Sequence, residues 1–343
     1  MTLAEIWFLA IAILWVGFFI LEGFDFGVGM LLPILGNTEK DRRVMINTIG
    51  PVWDGNEVWL LTAGGAMFAA FPEWYATIFS GLYVPLLLVL LGLIVRGVSF
   101  EYRHKRDMDS WRSLFDRFII FGSFVVPLVL GVGFANFVRG LPITRNENNW
   151  IMEGTFANFI GLFNPFALLG GVTFIALFVF HGAIFISLKT RGEIHERSRA
   201  LAAKVGIAAV VLVAAFTLWT ALAYGKGALS LVIALVSIAG VAFAWFMNSK
   251  DREGWAFIGT VVSILTMVSG IFVGMVPNVV KALDPAQSLS IADAASTSYT
   301  LTIMTVATAI FLPLVLGYQA WTFWVFRKRI SAEQIPAAVE GAH

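Results

Sequence analysis

Long apolar stretches alternate with short polar segments along the chain, and this alternation predicts its elements. Most of the nine apolar runs reach the length of about 20 residues that a helix needs to cross a bilayer. Helices are predicted because acyl chains offer backbone groups no hydrogen-bond partner, and the alternating strands of a membrane barrel are absent. The sequence predicts an all-α polytopic membrane protein with about nine transmembrane helices, in which residues 1–343 form one transmembrane domain. The runs cover about 6–34, 50–70, 75–97, 115–138, 158–188, 200–223, 228–247, 255–276 and 297–326.

The composition excludes several classes of protein. Hydrophobic residues make up 59% of the chain and charged residues only 13%, whereas a soluble domain is about 25% charged. A soluble enzyme, a nucleic-acid-binding protein and a disordered scaffold are therefore not expected, and the net charge of +1 favours no polyanionic partner. Because the chain has no cysteine, disulfides, thiolate metal sites and cysteine nucleophiles are excluded.

Lysine and arginine are distributed unevenly between the two sides that nine crossings create. The segments after the first, third, fifth, seventh and ninth runs carry 19 of them, and the remaining segments carry four. Basic residues collect on the cytoplasmic side of membrane proteins. The N-terminus is therefore predicted outside and the C-terminus in the cytoplasm.

Four carboxylates lie inside apolar runs, where an uncompensated charge costs several kcal/mol. Glu22 and Asp25 are three residues apart in the inner half of the first run, and Asp54 and Glu57 are three apart near the inner start of the second. Each pair shares a helical face, and Arg96 comes to the same depth. These five residues predict a row of polar side chains that is open to the cytoplasm and can hold a proton. The alternative is that Arg96 neutralises one acid while the others face aqueous loops.

Other polar features favour structural roles. His181 is the only histidine within an apolar run; one histidine cannot supply both axial ligands of a haem, so a hydrogen-bonded helix contact is expected. Gly23 and Gly27 have the spacing of a close helix contact. The basic stretch 96–117 is expected to include a solvated cytoplasmic loop. A resident metal centre is not expected, and cofactors for any electron transfer would belong to another chain.

Several motifs resemble those of one family, subunit II of the cytochrome bd-type quinol oxidases. Their order and spacing are specific, above all in the Gly-Phe-Asp and Trp-Asp-Gly-Asn sequences, and they are densest over about residues 20–135. The matching segments are Glu22–Met30, Arg42–Asn47, Pro51–Leu60, Thr62–Pro72, Arg96–Arg103 and, more weakly, Asn164–Gly171.

The resemblance implies a heterodimer in which this chain binds no cofactor alone and the partner, subunit I, holds haem b, haem d and the quinol site. Such oxidases oxidise a membrane quinol and reduce dioxygen to water with protons from the cytoplasm. They do not pump additional protons across the membrane. The family associates the aspartate of Trp-Asp-Gly-Asn with proton entry, a role that falls on Asp54. Glu57, Asp25, Glu22 and Arg96 would then belong to the proton path or tune it electrostatically.

The resemblance also implies lipid contacts, a structural lipid quinone in some members, a small accessory subunit in others, and a prokaryotic inner or plasma membrane. Two alternatives stay open from the residues alone. The chain could act by itself as a proton-coupled secondary transporter, or it could be a purely structural membrane scaffold.

Overall fold

The computed structural model describes residues 1–146, 149–153, 156–331 and 333, and helices make up most of it. The predicted cytoplasmic C-terminus lies outside these residues. The helices are α1 (Leu3–Leu35), α2 (Glu39–Ile49), α3 (Trp53–Ala70), α4 (Pro72–Gly81), α5 (Tyr83–Tyr102), α6 (Asp109–Arg139), α7 (Phe156–Gly161), α8 (Pro165–Lys189), α9 (Glu193–Trp219) continued by a π-helical turn (Thr220–Tyr224), α10 (Ala228–Ser249), α11 (Glu253–Met275), α12 (Ile291–Ala294) and α13 (Ser298–Val325).

Eight helices of the described chain are long and apolar enough to cross a membrane: α1, α5, α6, α8, α9 with its π-helical turn, α10, α11 and α13. The multi-pass all-α prediction is confirmed at this level. The predicted second span, 50–70, forms helix α3 but is not among the eight. Helix α3 is too polar for its composition to mark it as a membrane span, because its first turns contain Asp54, Asn56 and Glu57.

Two apolar runs predicted as single helices are each divided in two. The run at 75–97 is split at Leu82 between α4 and α5, and the run at 158–188 is split between α7 and α8. Helix α8 begins with Pro165 after an Asn164 side chain that accepts a hydrogen bond from the Ala167 N–H. An N-cap followed by proline is a typical helix start. An apolar run does not reveal such a restart, because hydrophobicity is the same on both sides of it.

One polar segment predicted as a connection contains a helix of its own. Helix α2 begins after Thr38, whose side chain accepts from the Asp41 N–H while Asp41 accepts in return from the Thr38 N–H. This reciprocal pair satisfies donors that a helix start would leave free. Two antiparallel hairpins occupy the segments that follow α6 and α11. They pair β1 (Ile143–Arg145) with β2 (Trp150–Met152), and β3 (Asn278–Val280) with β4 (Leu289–Ser290).

Helix α1 lies at the centre of the bundle and packs on α3, α6, α8 and α11. It lies very close to α8 at Gly27 and Gly182, since a Cβ atom on Gly27 would lie 2.7 Å from the Gly182 Cα. Small residues let membrane helices approach this closely. The centre of the bundle, where the charged residues of α1 lie, is therefore tightly packed.

Helix α13 lies at the edge of the bundle. Leu301 is its only buried residue, and its neighbours are α1 and α3. Two tryptophan side chains bind it: Trp7 Nε1 donates to Thr305 Oγ1 at 3.0 Å, and Trp59 Nε1 donates to Gln319 Oε1 at 3.0 Å. Almost the whole apolar surface of α13 is thus left for lipid or for another chain.

Candidate functional site

The centre of the candidate site is a buried ion pair between α1 and α5. Arg96 Nη1 donates to Glu22 Oε1, and both side chains are completely buried. Glu57 of α3 is a second carboxylate near the same guanidinium, with its Oε2 atom 3.9 Å from Arg96 Nη1 and its side chain 23% exposed. Three helices therefore each contribute one charged side chain to this cluster.

The local sequence explains how an arginine reaches this position. Arg96 lies on the buried stripe of α5, one turn beyond Gly92 and Leu93. Helix α6 presents Gly122 to this stripe, and a Cβ atom there would lie only 2.8 Å from the Arg96 Cβ. The glycine thus leaves room for the arginine side chain.

Aromatic rings enclose the guanidinium. The Arg96 Cζ atom lies 4.7 Å from the centre of the Phe26 ring and 5.3 Å from that of Phe100. A cation near an aromatic ring is attracted by the ring's electron density. The Nε and Nη2 atoms of Arg96 have no hydrogen-bond partner among the described residues. The arginine is therefore held by one ion pair and two aromatic rings, and two of its nitrogen atoms remain available as hydrogen-bond donors.

Asp25 lies one turn further along α1 and is also fully buried. Asn56 Nδ2 donates to its Oδ2 at 2.7 Å and lies 3.5 Å from the Leu21 carbonyl oxygen. The other oxygens of the pair, Asp25 Oδ1 and Asn56 Oδ1, have no partner within the described chain. Asn56 is a site residue that sequence reasoning missed. The available signal was its spacing of 7, 11 and 14 residues from Ala63, Met67 and Ala70, which places all four on one face of α3, the face that is buried.

Asp54 lies apart from the buried cluster. It is exposed in the first turn of α3 and lines a groove of about 370 Å³ between α3 and α13. Asn56 lines the same groove, and Glu57 follows one residue later. Four of the five predicted residues thus come together inside the bundle, and the fifth lies at its surface beside them.

The charges of the buried cluster do not balance. If Glu22, Asp25 and Glu57 were all ionised, Arg96 would compensate only one of three negative charges. Buried charge without compensation is expensive, and a buried group gives up its charge when it can. The simplest way to reduce the net charge is to bind a proton. The arrangement is therefore suited to taking up and releasing protons.

A second ionic cluster lies at the same end of the bundle and shows that the stretch 96–117 is solvated only in part, since residues 104–110 are exposed while Arg103 and Asp116 on either side of them are buried. Arg103 is fully buried. It donates to both Glu39 carboxylate oxygens at 2.7 and 2.6 Å and, through Nε, to Asp116 Oδ1 at 2.6 Å. Arg42 Nη1 adds a bond to Asp116 Oδ2 at 3.1 Å. These bonds fasten α2 to the ends of α5 and α6, which a charge count could not reveal.

The pKa of Glu39 shows the strength of this attachment. Partial burial alone would raise the pKa, but the hydrogen bonds and the charge of Arg103 outweigh burial and hold it below its ordinary value of 4.5. Burial alone would likewise lower the pKa of Arg103, and its carboxylate partners raise it instead. Both groups therefore stay charged at neutral pH.

His181 links three helices. Its Nε2 lies 3.1 Å from the Ile20 carbonyl oxygen, which can only accept, so Nε2 carries the proton. Its Nδ1 lies 2.7 Å from Thr260 Oγ1, and its ring stacks on Phe257 with 4.7 Å between centres. Both ring nitrogens are therefore engaged within the protein. Over the described residues, no group of three or more histidine, aspartate or glutamate side chains could hold a metal ion.

A larger groove lies at the opposite end of α1. It has a volume of about 690 Å³ and is lined by the first residues of α1, the last residues of α11 and helix α12. Most of the lining is apolar, including Phe8, Leu9, Phe272 and Ile291. Its shape and surface suit a long apolar chain.

Comparison with known proteins gives consistent matches along the chain. The family model described as "Cytochrome bd terminal oxidase subunit II" matches residues 3–326. "Cytochrome bd ubiquinol oxidase subunit 2" of Bacillus subtilis (strain 168) is 42% identical, covering 97% of this chain and 98% of that protein. "Cytochrome bd-I ubiquinol oxidase subunit 2" of Escherichia coli (strain K12) is 36% identical, covering 97% of each.

The fold is also found among solved structures. A chain of "The structure of bd oxidase from Geobacillus thermodenitrificans" superposes with a TM-score of 0.76 at 18% identity, covering 95% of this chain and 99% of that one.

Proposed function

Since this chain belongs to the family of cytochrome bd terminal oxidase subunit II, we propose that it is the haem-free subunit of a quinol:dioxygen oxidoreductase. In this proposal it stabilises a haem-bearing subunit I and admits cytoplasmic protons for the reduction of dioxygen to water. The haems of subunit I supply the electron-transfer chemistry. The residues here do not fit a haem, because His181, the membrane histidine, already uses both ring nitrogens.

One observation carries the proton-entry proposal: an exposed carboxylate adjoins a buried acidic cluster on the same helix. Asp54 is exposed at the start of α3, and Glu57, about 4.5 Å further along the helix axis, reaches the Glu22–Arg96 pair. Asn56 connects the same turn to Asp25. Protons taken up at Asp54 would have buried acceptors within one helical turn. The residue roles are proposed from this arrangement together with the family motif.

The surface of α3 and α13 is proposed to bind subunit I. Asp54 is exposed there, and the exposed surface of α13 includes Tyr318 and Trp321. Lipid acyl chains are a poor environment for a carboxylate. A partner chain covering this face would remove Asp54 from lipid. Covering the exposed side of α13 would also stabilise the partner.

The nine-span topology is part of the same proposal. Helix α3 has 18 residues, or about 27 Å at 1.5 Å per residue, close to the ~30 Å of a bilayer core. If α3 crosses as well, the N-terminus is outside and the helix ends at Leu35 and Tyr102 are cytoplasmic. The Arg103 cluster then lies on the inner side, as the positive-inside rule requires. The named relatives are bacterial, which favours a prokaryotic plasma membrane.

Further partners are proposed on weaker support. The groove at the start of α1 is larger and more apolar than the groove beside Asp54 and suits the tail of a structural lipid quinone or another lipid. A small accessory subunit is proposed from the family alone.

A purely structural role is the second candidate, and the Glu22–Arg96 ion pair favours it, because paired charges can simply hold helices together. Membership of the oxidase family leaves the secondary-transporter alternative without support.

The test is Asp54→Asn in the assembled oxidase, with Asp109→Asn as the matched control. Both aspartates are exposed in the first turn of a helix, and Asp109 lies outside the groove. We expect Asp54→Asn to lower dioxygen consumption at least about tenfold, as loss of a positioned proton-transfer group does, with an unchanged haem spectrum. Asp109→Asn should behave as wild type. Loss of haem together with turnover would favour the structural role, and full activity of Asp54→Asn would overturn proton entry there.

A further inference from the structure

The groove beside Asp54 has polar groups at positions where a lipid-facing surface would be apolar. Its α3 wall carries Asp54, Asn56 and Thr62, and its α13 wall carries Gln319 and Thr322. The remaining lining is apolar. The groove thus combines an exposed carboxylate with amides and hydroxyl groups between two helices.

Gln319 has an unused donor group in this setting. Its Oε1 accepts the hydrogen bond from Trp59 Nε1, while its Nε2 atom is buried and has no partner within the described chain. Asn56 Oδ1, on the opposite wall, is likewise buried without a described partner. An unsatisfied buried amide costs free energy. Both atoms lie behind the wall of the groove, out of reach of water in it.

The Trp59–Gln319 bond joins α13 directly to α3. The inner half of α13 also packs on α1 through Phe323, whose ring centre lies 6.5 Å from that of Phe24. The bond between Trp7 and Thr305 holds the outer half in a comparable way, at the same 3.0 Å. Only the inner bond lies beside Asp54.

We propose that Gln319 is a positioning residue that holds α13 at the spacing from α3 required for a water-filled vestibule, from which Asp54 receives protons. The proposal rests on the proposed role of Asp54. Gln319 acts through its side-chain oxygen, which fixes the helix spacing through Trp59. It does not itself carry the proton.

The decisive experiment compares two substitutions on α13 in the assembled oxidase. Gln319→Met keeps the length of the side chain and removes both polar atoms, while Thr305→Val removes the matching acceptor for Trp7 in the outer half. We expect Gln319→Met to lower kcat about threefold to tenfold, the size of effect that losing one or two hydrogen bonds produces. The KM for quinol and the haem content should not change. The loss should grow as pH rises, because proton supply then limits turnover.

Thr305→Val should keep the wild-type pH profile, and Gln319→Glu, which retains an acceptor for Trp59, should recover most of the activity. Wild-type turnover of Gln319→Met would overturn the proposal. So would equal losses in Gln319→Met and Thr305→Val, since both bonds would then only fasten the helix. If Asp54→Asn is inactive and Gln319→Met is normal, only this inference fails. If Asp54→Asn is fully active, the proton-entry role fails as well.

Discussion

Replacing Arg96 with methionine is expected to destabilise the protein strongly. Methionine fills a similar length but carries no charge, so Glu22 would be left completely buried without its ionic partner. Glu57 would lose the nearest cation as well. The contacts of the guanidinium with the Phe26 and Phe100 rings would also disappear.

The magnitude follows from the burial of the pair. Removing one partner of a buried ion pair costs about 3–5 kcal/mol, whereas an exposed pair contributes about 0–1 kcal/mol. Arg112 provides the matched comparison, because its partners Asp107 and Asp109 are 74% and 101% exposed. At about 2–4 °C per kcal/mol for domains of 150–250 residues, Arg96→Met should lower the denaturation temperature by roughly 6–20 °C. Arg112→Met should lower it by at most about 4 °C on the same scale.

The assay is heat inactivation of the assembled complex, read as the temperature at which half the haem-containing oxidase is lost. Adding Glu22→Gln to Arg96→Met should restore part of the stability, because no unpaired charge from this pair then remains. A coupling of about 0.5–3 kcal/mol is typical of residues in contact. Additive effects of the two substitutions, or an Arg96→Met variant as stable as Arg112→Met, would refute the reasoning.

Two further predictions concern the neighbours of this cluster. Asn56→Leu should destabilise the complex by about 1–3 kcal/mol because Asp25 loses its donor; a denaturation temperature equal to wild type would show that this bond is unimportant. Lowering the pH should loosen α2. Arg103 holds the pKa of Glu39 below its ordinary value of 4.5, so the charged carboxylate stabilises the fold fully above pH 4.5. This stabilisation is lost as the pH falls through the lowered pKa. The protection of the α2 amides against hydrogen exchange, relative to an unfolded chain at the same pH, should therefore fall as the pH drops below 4.5, and Glu39→Gln, already loosened at neutral pH, should show little such change. Equal pH dependence in both forms would contradict this assignment.

The apolar pattern predicted the helices well because hydrophobicity is the property that a membrane selects. It did not predict where helices restart, as at Asn164 and Pro165, since that depends on local caps and prolines within uniformly apolar sequence. It also missed α2, whose sequence is polar and whose position depends on ion pairs with distant residues. Arg103 shows the same limit, because an arginine in a basic stretch gives no sign that Glu39 and Asp116 will bury it.

For the candidate site, depth along each helix was enough to bring Glu22, Glu57 and Arg96 to one level. Helical spacing and membrane sidedness are both readable from sequence, and they restrict where a charge can lie. The orientation of each helix about its axis is not readable in the same way. Asp54 therefore lies in a groove at the surface, although it was grouped with the buried acids, and Asn56 takes the position beside Asp25. The roles of these residues in proton transfer stay predictions.

Proton uptake from the cytoplasmic side is the most direct measure of the central claim. Assembled oxidase carrying Asp54→Asn can be reconstituted in vesicles with a pH indicator on the side where Leu35 and Tyr102 end. During quinol oxidation, the initial rate of proton disappearance there should fall at least about tenfold in parallel with dioxygen consumption, and Asp109→Asn should match wild type. Proton uptake by Asp54→Asn at the wild-type rate would contradict the account.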